Sequence, residues 1–384
     1  MTGLWLLIPA ICWVGIDLVV VVRVRLASRA RLPRVPRFED FDVLVPIYGN
    51  VRYLENVEYL TQYGRRVILC TTSGESDEFY GALDDLGRRF GFRTHRADYV
   101  PPPSTKRNTG GTIRDRVVRS ALQHEVRASY VVCIDADTTT PRPLGDLVGI
   151  MHAKGTEIAS VRLVTQPGLN WLVALQRYEY RLAMRLRLLL PWMLSGACHA
   201  GTAEALRAVM RRHSLFFQGN DIEVGLLANG YGFRVAHIPF EVLTIVPDTF
   251  KPWWRQRVAW AGGEFRLFIA NIRFILKYPL LWIYGSVVVI ALIAVRIYSV
   301  AGSSLGLLAV IGLYFAVTYA VHWRYRDRWL VIVPIYRLFY TLVIVPIGVW
   351  KYFQMSVPER NYGVIRLPRP RNHDGLPAVR HSRT

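Results

Sequence analysis

Hydrophobic residues divide the chain into three zones. They crowd the amino terminus and the stretch from Phe274 to Tyr352, whereas residues 24–270 alternate apolar and polar positions as a soluble domain does. Leu4 to Val22 has the length needed to span a bilayer, and an Arg-rich stretch follows it directly. Because cytosolic flanks are rich in Arg and Lys, the pattern predicts a retained membrane anchor followed by a cytosolic domain.

Short apolar or β-branched runs in the middle zone alternate with polar helical stretches. The candidate strands are Phe41 to Ile47, Arg66 to Thr71, Tyr130 to Asp135 and Glu157 to Val161. Such alternation predicts an α/β domain with a mostly parallel sheet covered on both faces. In open sheets of this kind, ligands bind outside the carboxyl ends of the strands.

The carboxyl-terminal zone contains three apolar segments, at Tyr278 to Ala294, Leu305 to Val321 and Leu330 to Tyr352. The first two predict a helical hairpin across a membrane. The third contains Arg337 and two prolines, so it is either a span or a broken, re-entrant element. The side of the membrane that holds the basic tail stays open, with the cytosolic side favoured.

Composition supports a membrane protein with reduced cysteines. The hydrophobic fraction is 52% and the net charge is +20, with the basic residues clustered at the edges of the apolar segments. That placement favours membrane orientation over nucleic-acid binding. The four cysteines form no CxxC pair and are expected to be reduced core residues.

Two carboxylates follow the apolar run YVVCI. Asp135 and Asp137 emerge where a strand meets solvent, so they could hold a hard divalent cation that neutralises a diphosphate. The alternative is a turn with no metal. Lys106 lies in a Gly-bearing lead into the next helix, where it is either a phosphate contact or an exposed loop residue.

Further candidates lie closer to the second apolar zone. Asp221 opens a helical stretch and is either a helix cap or a general base for an acceptor hydroxyl. Gln256, Arg257 and Trp260 lie in an aromatic and basic segment. They either form an interfacial belt or bind sugar and diphosphate, since a Trp face stacks on a sugar ring.

Taken in order, these motifs resemble the membrane-bound family 2 inverting glycosyltransferases, the group of cellulose, chitin and hyaluronan synthases. The resemblance runs from about Asp42 to Trp260. Its motifs are VPIYGN at 45–50, the Lys106 segment, the Asp135 and Asp137 pair, HAGTAEALR at 199–207, Asn220 with Asp221, and Gln256 to Trp260. The resemblance implies a nucleotide-diphospho-sugar transferase (GT-A) fold. It also implies donor binding by Lys106, Asp135, Asp137 and Arg257, catalysis by Asp221, and acceptor binding by Gly201, Thr202, Gln256 and Trp260.

Three positions depart from the family pattern. Thr71 and Thr72 stand where the family has an Asp pair for the uracil base, and Glu75 or Asp77 are the candidate substitutes. Ala259 replaces the motif arginine, which leaves Arg257 or Arg255 for the diphosphate. Asn220 replaces the acidic residue before the catalytic base.

The sequence therefore predicts five parts: an anchor at 1–23, a GT-A domain at 24–250, an interfacial segment at 251–275, a transmembrane bundle at 276–356 and a basic tail at 357–384. The predicted protein is a multi-pass enzyme of the inner membrane with a cytosolic catalytic domain. With Mg²⁺ or Mn²⁺ it transfers a sugar from a UDP-sugar to a growing saccharide, giving a β-linked product. The expected partners are the UDP-sugar, a sugar-chain or lipid acceptor and the bilayer, without nucleic acid, and a homo-oligomer is one further option.

Two rival hypotheses remain at this stage. One is a non-processive enzyme that glycosylates a lipid such as a polyprenyl phosphate, which the small number of membrane segments favours. The other is a catalytically silent subunit of a polysaccharide export complex, which the missing Asp pair and Ala259 favour.

Overall fold

The computed structural model describes residues 32–101, 110–166, 168, 170–272, 276, 304–323 and 326–365. Lys106, the predicted anchor at 1–23 and the apolar segment from Tyr278 to Ala294 lie outside the described residues.

Eight strands form one sheet. They are β1 Phe41–Pro46, β2 Val67–Thr72, β3 Arg93–Ala97, β4 Tyr130–Ile134, β5 Thr138–Thr139, β6 Ile158–Thr165, β7 Cys198–Thr202 and β8 Val235–Thr244. The four strands predicted from the sequence correspond to β1, β2, β4 and β6. The other four strands are shorter, more polar or richer in small residues.

The sheet has the order β3-β2-β1-β4-β7-β6-β8-β5. Strands β3, β2, β1 and β4 run parallel to one another, and β6 runs parallel to β8. Strand β7 runs antiparallel between β4 and β6, and β5 runs antiparallel to β8. The sheet is therefore mostly parallel, as predicted, with antiparallel pairings at β7 and β5, and β7 runs from the carboxyl end of β4 toward its amino end.

Both faces of the sheet are covered. Alternate residues of β1 point in opposite directions, so Val43 and Val45 pack in one hydrophobic cluster while Leu44 packs in the other. All three residues have no exposed surface. Three cysteines, Cys70, Cys133 and Cys198, are buried and unpaired, which confirms the prediction for the described part of the chain.

The helices of the domain are α1 Val57–Leu60, α2 Asp77–Phe90, α3 Gly110–His124, α4 Leu144–Lys154, α5 Trp171–Leu189, α6 Ala203–Arg212, α7 Asn220–Gly230 and α8 Phe250–Phe265. Local sequence sets their ends, as α2 shows. The Ser76 hydroxyl accepts from the Phe79 amide at 3.2 Å, and Gly91 ends the helix with a left-handed φ of 76°.

Three further helices lie in the carboxyl-terminal part: α9 Ser304–His322, α10 Val333–Phe339 and α11 Val345–Glu359. A 3-10 turn precedes α10 and a π turn joins α10 to α11, which gives a helical run of 30 residues over Leu330–Glu359. In the described part of the chain, this run alone has the length and composition of a membrane span. The π turn at Tyr340–Ile344 ends just before Pro346, where the missing amide would interrupt a regular helix.

Helices α8 and α11 approach each other through a pair of glycines. A Cβ on Gly262 would lie 2.6 Å from the Gly348 oxygen, and a Cβ on Gly348 would lie 2.7 Å from the Gly262 nitrogen. Neither position has room for a side chain. The apolar helical run is therefore packed backbone to backbone against the last helix of the α/β domain.

Candidate functional site

Asp135 and Asp137 lie in a turn at the carboxyl end of β4. The amide of Asn56 holds this turn, because its Nδ2 donates to the Asp135 oxygen at 3.0 Å and to the Thr138 oxygen at 2.6 Å. Asp137 Oδ1 accepts from the Thr138 hydroxyl at 2.9 Å. The turn is thereby braced from the segment that follows β1.

The electrostatics of this turn suit a bound cation. Burial raises the pKa of Asp135 to about 6, against the opposing effect of Arg114 and with a further increase from Asp137. Burial also raises the pKa of Asp137. Arg114 Nε lies 3.6 Å from Asp135 Oδ1. Two crowded carboxylates would therefore gain from a neutralising charge.

The oxygen donors of Asp135 and Asp137 fit a hard divalent cation such as Mg²⁺ or Mn²⁺. Among the described residues, no group of three or more His, Cys, Asp or Glu side chains is placed to hold a metal ion, at this turn or elsewhere. A cation held by this pair would take its remaining ligands from donor phosphates and water.

The segment Ser195–Ala197 joins this turn to Asp221. The Asp135 amide donates to the Ala197 oxygen at 3.0 Å, and the Gly196 amide donates to Asp221 Oδ2 at 2.8 Å. His199 Nδ1 lies 3.1 Å from the Ser195 oxygen, and burial lowers the His199 pKa to about 4. Neighbouring residues of one short segment thus contact both Asp135 and Asp221.

Asp221 lies in the first turn of α7, where the negative charge of a carboxylate interacts favourably with the helix dipole. Gly219 precedes the helix with a φ of 83°, and a Cβ there would lie 2.7 Å from Leu267 Cδ1. Asn220, which stands where the family has an acidic residue, is buried. The structure thus brings Asp221 to the same site as Asp135 and Asp137.

A buried ion pair between Arg266 and Glu223 holds α7 in place. Arg266 Nη1 lies 2.8 Å from Glu223 Oε2, and both side chains have no exposed surface. Ser214 donates to Glu223 through its amide at 2.6 Å and its hydroxyl at 2.7 Å. The residues just after α8 are thereby tied to the helix that carries Asp221.

Arg257 is engaged in a second buried ion pair. Its Nη2 lies 2.6 Å from Glu179 Oε2 and 3.0 Å from Gln176 Oε1, and its Nη1 donates to Gln256 Oε1 at 2.6 Å. The Tyr336 hydroxyl donates to the other Glu179 oxygen. Because its guanidinium is occupied in this way, the structure favours a structural role for Arg257 over the predicted donor contact, and Gln256 belongs to the same network.

Trp260 lies above this network with 36% of its surface exposed. The Arg257 guanidinium lies 4.4 Å from the centroid of its ring, and the Tyr180 ring lies 6.4 Å away. Burial raises the pKa of Tyr180 to about 12, and the charges of Arg257 and Asp137 also act on this hydroxyl. Tyr180 therefore lies beside Trp260 and within electrostatic range of Asp137.

Two predicted acceptor residues lie away from this site. Gly201 pairs with Val131 and Thr202 with Tyr130, at the end of β4 opposite to Asp135. Thr202 caps α6, with its hydroxyl accepting from the Ala205 amide at 3.3 Å. Because β7 is antiparallel, its first residues and not its last approach the acidic turn, so the acceptor assignment of Gly201 and Thr202 is wrong for this geometry.

Three residues of the site are absent from the sequence-based prediction: Asn56, Arg114 and Tyr180. Their helical or loop positions carry no motif, and their roles arise from contacts between distant segments. The one signal that the sequence offered for these residues is a polar side chain at helical spacing from apolar neighbours.

Comparisons with known proteins show the family and the fold. The family described as "Glycosyl transferase family group 2" matches residues 130–350, more than half of the chain. No curated protein matches this sequence.

One solved structure in particular shares the fold. The mannosyltransferase PcManGT from Pyrobaculum calidifontis, in complex with GDP-Man and Mn²⁺, has a TM-score of 0.59 at 16% identity, over 90% of this chain and 99% of that chain. Glucosyl-3-phosphoglycerate synthase from Mycobacterium tuberculosis, in complex with phosphoglyceric acid, has a TM-score of 0.38 at 15% identity, over 65% of this chain and 82% of that one. The predicted GT-A-like α/β fold is confirmed. Because the family match covers more than half of the chain, including β4 with Asp135 and Asp137, Asp221 and Trp260, the chain belongs to glycosyl transferase family group 2.

Proposed function

We propose that this protein transfers a sugar from a nucleotide-sugar to a saccharide or lipid-linked acceptor at a membrane surface, with inversion at the anomeric carbon. The placement of Asp221 beside the Asp135 turn carries the proposal. Both are hydrogen-bonded to neighbouring residues of Ser195–Ala197. A base for the acceptor and a cation site for the donor diphosphate therefore adjoin.

Asp221 is the proposed general base. Its Oδ2 is oriented by the Gly196 amide, and among the described residues no hydrogen bond engages its Oδ1. In the proposed reaction this carboxylate removes a proton from the acceptor hydroxyl, whose oxygen attacks the anomeric carbon. The bond from that carbon to the diphosphate breaks, and the nucleoside diphosphate leaves with the electron pair.

Asp137 and Asp135 would hold Mg²⁺ or Mn²⁺. The cation, when bound, neutralises the charge that develops on the leaving diphosphate. Asn56 fixes the turn that carries both carboxylates, so its amide orients the site without contacting the substrate.

The nucleotide base is proposed to lie beyond the ends of β1 and β2. Glu75 occupies this region in place of the family's Asp pair, with Oε2 accepting from the Gly49 amide at 2.9 Å and Oε1 from the Thr72 hydroxyl at 2.7 Å. A carboxylate there can accept from the N–H of uracil or guanine. UDP-sugars remain the proposed donors. GDP-sugars are the alternative donors to compare, because PcManGT was solved with GDP-Man.

The membrane is the proposed location of the acceptor. Several large apolar side chains of the Leu330–Glu359 run are exposed, among them Val331, Ile335, Trp350 and Val357. Burying them in lipid would remove this surface from water. The adjacent Trp260 would then stack on an acceptor sugar close to the bilayer.

The test is nucleoside diphosphate release by the purified full chain with Mn²⁺, over a panel of UDP- and GDP-sugars. Loss of the base should lower turnover of Asp221→Asn by about 10²- to 10⁴-fold while leaving nucleotide affinity close to wild type. Asp137→Ala should lose both turnover and the response to Mn²⁺. Asp85→Asn, on the exposed surface of α2, is the matched control and should match wild type.

Two outcomes would contradict the proposal. Normal turnover by Asp221→Asn would remove the base from its role. Absence of release from every donor by the wild-type chain would instead favour the silent subunit of an export complex.

Product analysis separates the two acceptor classes. Mass spectrometry that finds a ladder of sugars indicates a growing saccharide, whereas a single added sugar on a lipid extract indicates a non-processive lipid glycosyltransferase.

A further inference from the structure

Three arginine side chains are buried in the described part of the chain, and one of them differs from the others. Arg257 and Arg266 pair with Glu179 and Glu223 at 2.6 and 2.8 Å. Arg187 is 9% exposed, and no carboxylate of the described residues lies within ion-pair distance of it. The sequence has two acidic side chains outside the described residues, Asp17 and Asp374.

The contacts of Arg187 do not balance its charge. Nη1 donates to the Met184 sulfur at 3.4 Å and Nη2 to the Leu194 oxygen at 3.2 Å, while Nε is buried without an acceptor. Burial lowers the pKa of Arg187 to about 10, so the group still carries its proton at neutral pH. A buried cation without an anion is costly, and proteins generally supply a partner.

The position of Arg187 indicates where that anion would come from. Its partner Leu194 directly precedes Ser195–Ala197, the segment that holds Asp221 and Asp135. Among acidic groups, Asp221 has the largest electrostatic effect on this guanidinium. Tyr180 lies seven residues earlier on α5, hence on the same face of the helix, beside Trp260.

We propose that Arg187 binds a phosphate group of a substrate beside Asp221. A guanidinium offers planar paired donors that match phosphate oxygens, and its unsatisfied Nε adds a further donor. The inference rests on the proposed function, and two substrates could supply the phosphate. One is the diphosphate of the nucleotide donor, and the other is a phosphorylated lipid acceptor.

A purely structural role makes a different prediction. If Arg187 serves to fix the Leu194 carbonyl, Arg187→Met should lower the melting temperature and leave ligand affinity unchanged. If it binds phosphate, removal of an uncompensated buried cation should leave the melting temperature unchanged or raise it. Affinity for the phosphate ligand should then fall.

The experiment measures binding by tryptophan fluorescence on the purified full chain, with four probes. These are UDP and GDP, each with MnCl₂, and vesicles that carry either a polyprenyl phosphate or the neutral polyprenol. We expect Arg187→Met to bind at least one phosphate probe about 10- to 100-fold more weakly than wild type, as expected for a lost hydrogen bond to a charged group. Arg187→Lys should fall between the two.

The probe that loses affinity identifies the source of the phosphate. Weaker nucleotide binding assigns Arg187 to the donor diphosphate, and weaker binding of the phosphorylated lipid alone assigns it to the acceptor. Arg177→Met is the matched control, because Arg177 lies on the same helix and contacts the Gly168 oxygen at 3.4 Å. It should bind all probes as wild type does.

Unchanged affinity of Arg187→Met for every phosphate probe would overturn the inference. Failure of the wild-type chain to bind any of them would do the same. Because the readout is binding, the result is independent of turnover, so failure of this inference is distinct from failure of the proposed glycosyl transfer.

Discussion

The ion pair of Arg257 and Glu179 offers a decisive test of what the segment from Gln256 to Trp260 does. Arg257 is 1% exposed, and the Glu179 side chain is 25% exposed. Removing one partner of a buried ion pair costs about 3–5 kcal/mol, because it leaves the other charge without compensation. The remaining Glu179 in Arg257→Met can partly rehydrate, so we expect a loss near the lower value, about 3 kcal/mol.

The double variant Arg257→Met with Glu179→Leu isolates the pair. Because both charges are removed together, its free energy of unfolding should exceed the value expected from the summed single losses. Urea denaturation of the purified chain, followed by tryptophan fluorescence, measures all three variants. Titration of each variant with UDP or GDP and MnCl₂ measures the donor site, which should keep its affinity to within about threefold.

The opposite pattern would refute the structural assignment. If Arg257→Met kept wild-type stability and lost nucleotide affinity by about tenfold or more, its guanidinium would contact the donor diphosphate. The prediction from the sequence motif would then stand.

Three further predictions concern stability. Gly225→Ala should destabilise the domain by about 1–3 kcal/mol or more, since its Cβ would lie 1.7 Å from the Trp192 backbone oxygen. Gly81→Ala, in exposed α2 with nothing within 4 Å of its Cβ, should instead stabilise by about 0.5–1 kcal/mol, and urea denaturation compares the two. The pKa of Glu223 is lowered, because although burial raises it, His213 and Arg266 outweigh that effect. Its stabilisation is therefore complete above the unfolded value of 4.5 and lost as the pH falls through the lower folded value, so Glu223→Gln should show a shallower loss of melting temperature in acid than wild type.

Local pattern predicted the strands that are buried on both faces. The β1, β2, β4 and β6 runs are continuous and apolar, and the acidic pair after β4 lies where the carboxyl end of a strand places it. Strand β7 was hidden, because CHAGT is short and small, and its direction depends on pairing with β4 and β6. This one direction explains why Gly201 and Thr202 were misplaced while Asp221 was not.

The roles of charged residues depended on partners distant in sequence. Arg257 meets Glu179 from another helix, 78 positions away, so a motif alone could not distinguish an ion pair from a phosphate contact. Arg187 is the opposite case. Only the folded chain shows that no carboxylate of the described residues lies within ion-pair distance of this buried arginine. Sequence pattern indicated which segments carry the charged side chains, and packing decided which of those side chains are held in ion pairs.

The glycine pair between α8 and α11 constrains how relatives of this protein can be recombined. A chimera that imports α11 from a homologue with Ala at position 348 would need to separate two backbones that have no spare room. Exchange of the two helices together would preserve the crossing. We therefore expect viable hybrids to inherit α8 and α11 as one unit, even though 79 residues of chain lie between them.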